Sequence, residues 1–320
     1  MQFAGTLPRD FAAPVCIVLH IPPDAPSLLA QIISRDSLLP AVHAEHMQKW
    51  ENGTIYIAPP DRHLLIHADG TLRVVRGPRE NRHRPAIDPL FRSAAMEFGP
   101  RAIGIILSGT LDDGTAGLWA IKERGGIAIV QPPEEALYPS MPQSAIENVA
   151  VDHIVRVRAM GELLATLLSS PSPGATAPVS RDMKLEVRMA ELDADALDEP
   201  DRPGEPSPFS CPDCGGVLWM IGKDEFTRFR CRVGHAFAPE TMLGAQQDVL
   251  EEALWSAVKT LEETVLLSRR LADGERKRGH PWMAERFERK ERDARAHVEV
   301  IRRYLLRRDD STVPVEVSSM

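Results

Sequence analysis

Short apolar runs alternate with amphipathic stretches through the first part of the chain, and the densest passage is Ala102 to Gln131 (AIGIILSGTLDDGTAGLWAIKERGGIAIVQ). An apolar, β-branched run from Ile103 to Leu107 leads into a polar loop with glycines. A helical stretch follows with Ala116, Leu118 and Ile121 on one face, then Gly125-Gly126 and a second apolar run. This pattern predicts a βαβ unit, because strands covered by helices on both sheet faces are apolar throughout rather than alternating. Ligands of such sheets gather beyond the carboxyl ends of the strands, so the loop Ser108 to Gly114 is where chemistry is expected.

The flanking sequence extends the pattern. Val15 to Leu19 reads as a strand, ended by His20 and stopped by Pro22-Pro23, with a short amphipathic helix over Ser27 to Ile33. Thr54 to Ala58, Leu64 to His67 and Leu72 to Val75 read as strands, the last two joined by the hairpin signal Ala68-Asp69-Gly70. Asp88-Pro89 offers an N-cap and a first-turn proline for a helix to about Phe98. Beyond the central unit come a loop and short helix over Pro139 to Asn148, a strand over Ile154 to Val157, and a closing helix over Gly161 to Leu168. Strands alternating with helices predict an α/β domain over residues 1–170, built on a doubly wound, mostly parallel sheet. Residues 171–208 are rich in Pro, Ala and acid and read as a linker, with a short helix at Met183 to Leu192. Residues 209–243 form a small module around three cysteines. Residues 244–308 carry apolar seams at Leu250, Leu254, Leu261 and Val265, then at Met283, Phe287, Val298, Ile301 and Leu305, which predict an α-helical hairpin broken at Gly279-His280-Pro281.

Charge refines this picture. The chain has 320 residues and a formal net charge of −8, which argues against a general nucleic-acid binder. The sum hides a division: Asp182 to Glu205 holds nine acids against three bases, and Arg269 to Arg308 fourteen bases against seven acids. The basic helices read as solvated faces with i,i+4 pairs such as Glu285-Arg289. No run is long and apolar enough to span a bilayer, and the N-terminal residues lack the form of a signal peptide, so a cytoplasmic location is expected.

His20, at the carboxyl tip of a buried strand, points to the ligand side of the sheet, and Asp113 lies just past another apolar strand. Together they would suit a base and the carboxylate that orients it. Taken singly, His20 reads as a loop histidine, and Asp112 and Asp113 as caps of the helix near Thr115. Gly109, Gly114 and Gly117 match neither nucleotide-binding glycine pattern, and two aspartates would repel phosphate.

The blocks IVLHIPP, IYIAPPDRH, GPRENRHRPAIDPLF, GIILSGTLDDGTAGL, GGIAIVQ and YPSMPQSAI occur in this order with suitable gaps. Together they resemble the catalytic domain of the chemotaxis receptor methylesterases, the CheB type, over roughly Thr6 to Ser170. The resemblance implies a serine hydrolase that removes methyl esters from glutamyl side chains of chemoreceptors. Its catalytic histidine falls on His20 and its aspartate on Asp113, and its reaction needs no cofactor. Thr110 stands where the family has a methionine whose backbone helps form the oxyanion site. The family's first strand and its serine-bearing turn have no counterpart in this sequence, so the nucleophile and one inner strand are expected to be missing. A receiver domain and its phosphorylation switch have no counterpart either. The basic loop with Arg82 and Arg84 is expected to dock an acidic receptor helix. Expected partners are a methylated chemoreceptor or receptor-like protein and a methyltransferase or histidine kinase of the same pathway, with no nucleic acid.

Cys211-x2-Cys214, then Cys231-x3-His235, gives three thiolates and one imidazole at knuckle spacing. A full set of four protein ligands predicts structural rather than catalytic Zn²⁺. Cys16, alone in an apolar strand, reads as core. The rival to the hydrolase is a non-catalytic sensory scaffold that binds receptor helices through the same crevice.

Overall fold

The computed structural model describes residues 2–23, 27–170, 178–193, 195–196, 202–222 and 227–309. Parts of the expected linker (171–177, 194 and 197–201) and of the cysteine module (223–226) lie outside the described residues, as do the side chains of 307–309. The chain divides into two compact units, Met1–Leu243 and Gly244–Met320.

The parallel strands of the first unit form two three-stranded sheets. In one, β1 (Val15–Ile17), β3 (Ile55–Ile57) and β2 (Ala41–His43) lie in the order β1-β3-β2, with Val15 and Ala41 both paired to Ile55. In the other, β6 (Ile103–Ile106), β7 (Ile127–Val130) and β8 (His153–Ile154) follow in sequence order. Among the described residues β1 and β6 each pair along one edge only. Apolar side chains leave both faces of β3 and β7, as a strand buried on both sides requires. Tyr56, Ala128 and Val130 enter one core with Phe91, Leu118 and Ile121, while Ile55, Ile57 and Ile129 enter another with Phe3, Leu7, Phe11 and Met160. Helices accordingly cover both sides: α3 (Ile87–Phe98) and α4 (Thr115–Glu123) supply the first core, α1 (Gln2–Gly5), α2 (Leu29–Asp36) and α6 (Val157–Ser169) the second. The central βαβ unit forms as expected, β6-α4-β7. The hairpin β4 (His63–Ile66) and β5 (Leu72–Val75) turns at Gly70, whose φ of 88° suits glycine, while Asp69 Oδ1 accepts from the Thr71 amide at 2.9 Å.

Several elements differ from expectation for identifiable reasons. β2, in a mixed polar stretch, is recruited by pairing to β3 rather than by its own pattern. α3 begins at Ile87 with no side-chain cap, because the Asp88 carboxylate turns inward. α5 (Ser140–Asn148) forms as read, whereas α6 starts four residues earlier than expected, its Val157 amide donating to Glu135 Oε2 at 3.0 Å. The short helix expected within the linker does form, as α7 (Arg181–Ala190), but it is docked on β4 rather than free in a linker. Ser180 Oγ caps it by accepting from the Met183 amide at 3.2 Å, and Val187 and Ala190 bury against Leu65. Around the cysteines lies a four-stranded antiparallel sheet in the order β12-β11-β10-β9, made of β9 (Glu205–Ser210), β10 (Val217–Ile221), β11 (Arg228–Cys231) and β12 (Ala236–Phe237).

The long helix α8 (Pro239–Lys277) starts at the end of the first unit, and its greater part forms a hairpin with α9 (Pro281–Asp309) in the second. The hairpin buries Val258, Val298 and Leu305, with Leu254, Leu261 and Ile301 packed beside them. No helix among the described residues is long and apolar enough to cross a membrane.

Candidate active site

The carboxyl ends of β1 and β6 bring His20 and Asp113 together: His20 Nε2 lies 3.1 Å from Asp113 Oδ2. The Asp113 side chain is 1 % exposed and that of His20 24 %, so the carboxylate sits behind the imidazole and the imidazole faces outward. The contact is a close ion pair rather than a well-directed hydrogen bond, because the ring N–H points off the oxygen. His20 Nδ1 lies 3.1 Å from the Pro85 carbonyl oxygen, and the His83 ring stacks on the His20 ring at 3.9 Å between centroids. The described contacts of His20 include no serine or threonine hydroxyl.

Asp113 is held from two further sides. The Ile87 amide donates to Oδ2 at 2.7 Å and the Asn81 Nδ2 donates to Oδ1 at 2.8 Å. Asn81 Nδ2 also donates to Asp88 Oδ2 at 2.8 Å, and Asp88 Oδ1 accepts from the Gly117 amide at 2.6 Å. One amide group thus bridges two buried carboxylates, and their environments drive them apart. Burial raises both, yet the His20 pair, Asn81 and the Ile87 amide hold Asp113 below the usual carboxylate range. Burial, then repulsion from Asp113, pushes Asp88 up to about 7. Burial works against the charged form of His20, but the close contact with the Asp113 carboxylate and its charge outweigh this and raise it from its usual value. Burial, followed by the charges of His20, Arg82 and Arg79, lowers His83 to about 4, so the stacked partner is neutral near pH 7.

An open cavity of about 330 Å³ lies before His20, lined among others by Pro22, Arg79, Arg82, His83 and Arg84. Arg82 and Arg84, the residues expected to dock an acidic helix, both line this cavity. The Arg84 guanidinium is engaged, however, with Nε at 2.8 Å and Nη2 at 2.6 Å from Asp61 Oδ1 and Nη1 at 2.7 Å from the Gly77 carbonyl. Thr110 is exposed in the loop after β6, and its neighbour Leu111 takes a left-handed φ of 62°. Ser108 Oγ is spent on the Tyr138 amide, from which it accepts at 2.9 Å.

Asn81 and His83 carried no signal of their own in the sequence, and Asp88 read only as a helix cap, since neither an asparagine in a basic loop nor an aspartate at a helix start reveals what it bonds. Asp112 read as a local cap does something else. Its Oδ2 accepts from the Glu240 amide at 3.0 Å and its Oδ1 from the Thr241 hydroxyl, so it caps α8, more than a hundred residues away.

Cys211, Cys214, Cys231 and His235 converge as their spacing predicted, with all ligand atoms within 4.8 Å of one another. Cys214 Sγ and Cys231 Sγ are 3.7 Å apart, and His235 Nδ1 lies 3.7 Å from Cys211 Sγ and 3.6 Å from Cys231 Sγ. Sulfur ligands at tetrahedral corners about 2.3 Å from a metal sit about 3.8 Å apart. The cluster therefore fits one tetrahedral metal ion, and the cysteines are free thiols.

Comparison with known proteins relates the first half of the chain to one family. Residues 1–164 match the CheB methylesterase family model. A Leptospira interrogans protein whose name carries both protein-glutamate methylesterase and protein-glutamine glutaminase is 39 % identical over 162 residues, 51 % of this chain and 84 % of the relative. The methylesterase FrzG of Myxococcus xanthus is 37 % identical over 163 residues, 51 % of this chain and 49 % of the relative. The crystal structure of the Thermotoga maritima CheB methylesterase catalytic domain superposes with a TM-score of 0.50 at 32 % identity, covering 52 % of this chain and 89 % of that one. Half of the chain, including the strand ends that carry His20 and Asp113, thus follows one family of carboxylic-ester hydrolases, and the chain belongs to the CheB methylesterase family.

Proposed function

We propose that residues 1–170 hydrolyse glutamyl methyl esters on a chemoreceptor or receptor-like protein in the cytoplasm, releasing methanol. The observation that carries this reading is the buried Asp113 carboxylate 3.1 Å behind an outward-facing His20 imidazole at the mouth of an open cavity. His20 serves as general base for a serine nucleophile, which no described residue places beside it, and then as general acid for the departing methoxide. Asp113 fixes the ring and stabilises the imidazolium. With Nε2 given to Asp113, Nδ1 is the nitrogen that takes the proton, after exchanging its contact with Pro85. The Thr110 amide serves the oxyanion, and Arg79 and Arg82 attract an acidic receptor helix, while Arg84 holds the loop shape through Asp61. Glutamine deamidation, named for several relatives, is the same acyl transfer with ammonia leaving, and it is assigned to the same site. The Cys3His cluster is assigned to structural zinc, since four protein ligands leave no position for a reacting water. When bound, zinc holds that module folded. Partners from the same pathway, a methyltransferase or a histidine kinase, fit this assignment.

One observation favours the scaffold alternative: both His20 nitrogens face oxygen acceptors, and no hydroxyl is among its described contacts. Methanol release from methylated receptor separates the two. The hydrolase reading expects release that falls by about 10²–10⁴ in His20→Ala, the usual worth of a positioned base. Receptor binding without release, unchanged by His20→Ala, would establish the scaffold.

A further inference from the structure

The residues flanking the metal ligands are the same ones that grip the loop behind His20. Arg230, next to Cys231, is buried and places Nη2 2.9 Å from Glu80 Oε1, while its Nη1 donates to the Gly234 carbonyl at 2.9 Å. Gly234, with φ 106°, lies so close to Pro78 that a Cβ there would come within 2.8 Å of its ring. Ala236, next to His235, accepts from the Asn81 amide at 2.8 Å and donates to the Arg79 carbonyl at 3.3 Å. The Ala238 amide donates to Asn81 Oδ1 at 2.8 Å. Asn81 therefore spends its side-chain oxygen on the cysteine module and its side-chain nitrogen on Asp113 and Asp88. The same loop continues into His83, stacked on His20, and Pro85, whose carbonyl faces His20 Nδ1.

We propose that Asn81 is a positioning residue for Asp113 and that metal binding in the Cys3His module sets it, so that the module acts as a clasp on the His20–Asp113 pair. The ligands at Cys231 and His235 fix the short turn between β11 and β12, and β12 directly after it presents the Ala236 carbonyl, with the Ala238 amide just beyond, to Asn81. Asn81 itself has a φ of 49° and Arg82 one of 66°, both in the left-handed region that non-glycine residues seldom adopt. A strained loop of this kind keeps its form only while its neighbours over-determine it. Without metal, the β11–β12 turn loses its fixed point and the loop relaxes. The Asn81 bridge to Asp113 is then released.

The proposal rests on His20 and Asp113 being the working pair for its consequence in activity, but the clasp is measurable without turnover. The full-length protein, zinc-loaded and then stripped with a chelator, is followed by native mass spectrometry for metal content. Amide hydrogen exchange reads the loop, and the His20 ring resonances read the site. Stripping is expected to speed exchange at Asn81 and His83 at least tenfold and to shift the His20 resonances, while the Val130 amide in β7 stays protected. Asn81→Ala, with metal retained, is expected to shift the same His20 resonances and to lower kcat with KM held. Exchange confined to residues 211–238 with His20 unmoved would overturn the proposal. An Asn81→Ala protein whose His20 resonances match the wild type would overturn it equally. A protein that shows the clasp yet releases no methanol would leave the clasp standing and remove the hydrolase assignment.

Discussion

Two carboxylates bridged by one asparagine give the site opposing responses to pH. The folded-state midpoint of His20 is raised above 6.5, so its pairing contributes fully below 6.5 and is lost as pH rises through the raised value. Asp113 is lowered from 3.8, so its contribution is present above 3.8 and is lost only as pH falls through the lowered value. Asp88, raised to about 7, also favours folding below 3.8 and loses that contribution as pH rises through about 7. Unfolding free energy, measured by denaturant titration, is therefore expected to decline from pH 6 to pH 8. Methanol release is expected to climb over the same interval, since a base must be neutral. Asp88→Asn removes one titrating group while keeping an acceptor for Asn81, so it should flatten the stability decline and leave a rising rate profile. The meeting of His20 and Asp113 was legible because buried strands announce their own carboxyl ends. Asn81 was not legible, because Asp113 and the Ala238 amide are far from it along the chain and Asp88, seven residues on, read as a helix cap.

At the scale of elements, the strands and helices with continuous or 3.6-residue apolar patterns could be read directly, β6-α4-β7 above all. Those made by partners could not. β2 exists through its pairing with β3, and α7, though legible as a helix, owes its docking to Glu186, which reaches Arg228 with Nε 3.1 Å from Oε1. Glu186 is held below its usual range, since the charges of Arg228, Arg92 and Arg230 outweigh its burial. These groups and Glu80 form a buried network in which Arg230 and Glu80 are each 1 % exposed. Removing one member strands charge away from water, which typically costs about 3–5 kcal/mol. Arg230→Met is accordingly expected to destabilise the first unit by about that much in urea unfolding, whereas an exposed pair such as Arg289–Glu285 should cost under about 1 kcal/mol.

For the whole molecule, the two units draw on separate apolar cores, and this separation was visible in the sequence as the change from mixed periods to a single helical seam after Leu243. Placing a carboxylate in the hairpin seam tests it. Val298→Asp buries an unpaired charge where Val258 and Leu305 are packed, and should expose residues 244–309 to proteolysis while residues 1–243 stay protected. Asp112 carries a different consequence. Unlike its neighbour Asp113, it turns away from His20 and exists to receive the first turn of α8. In family members whose chains carry no such helix, this contact is absent and an acid at the position is expected to be dispensable. Where an extension of this kind is fused behind such a domain, the acid is expected to persist, so that a single letter beside Asp113 would mark the chains in which the two are coupled.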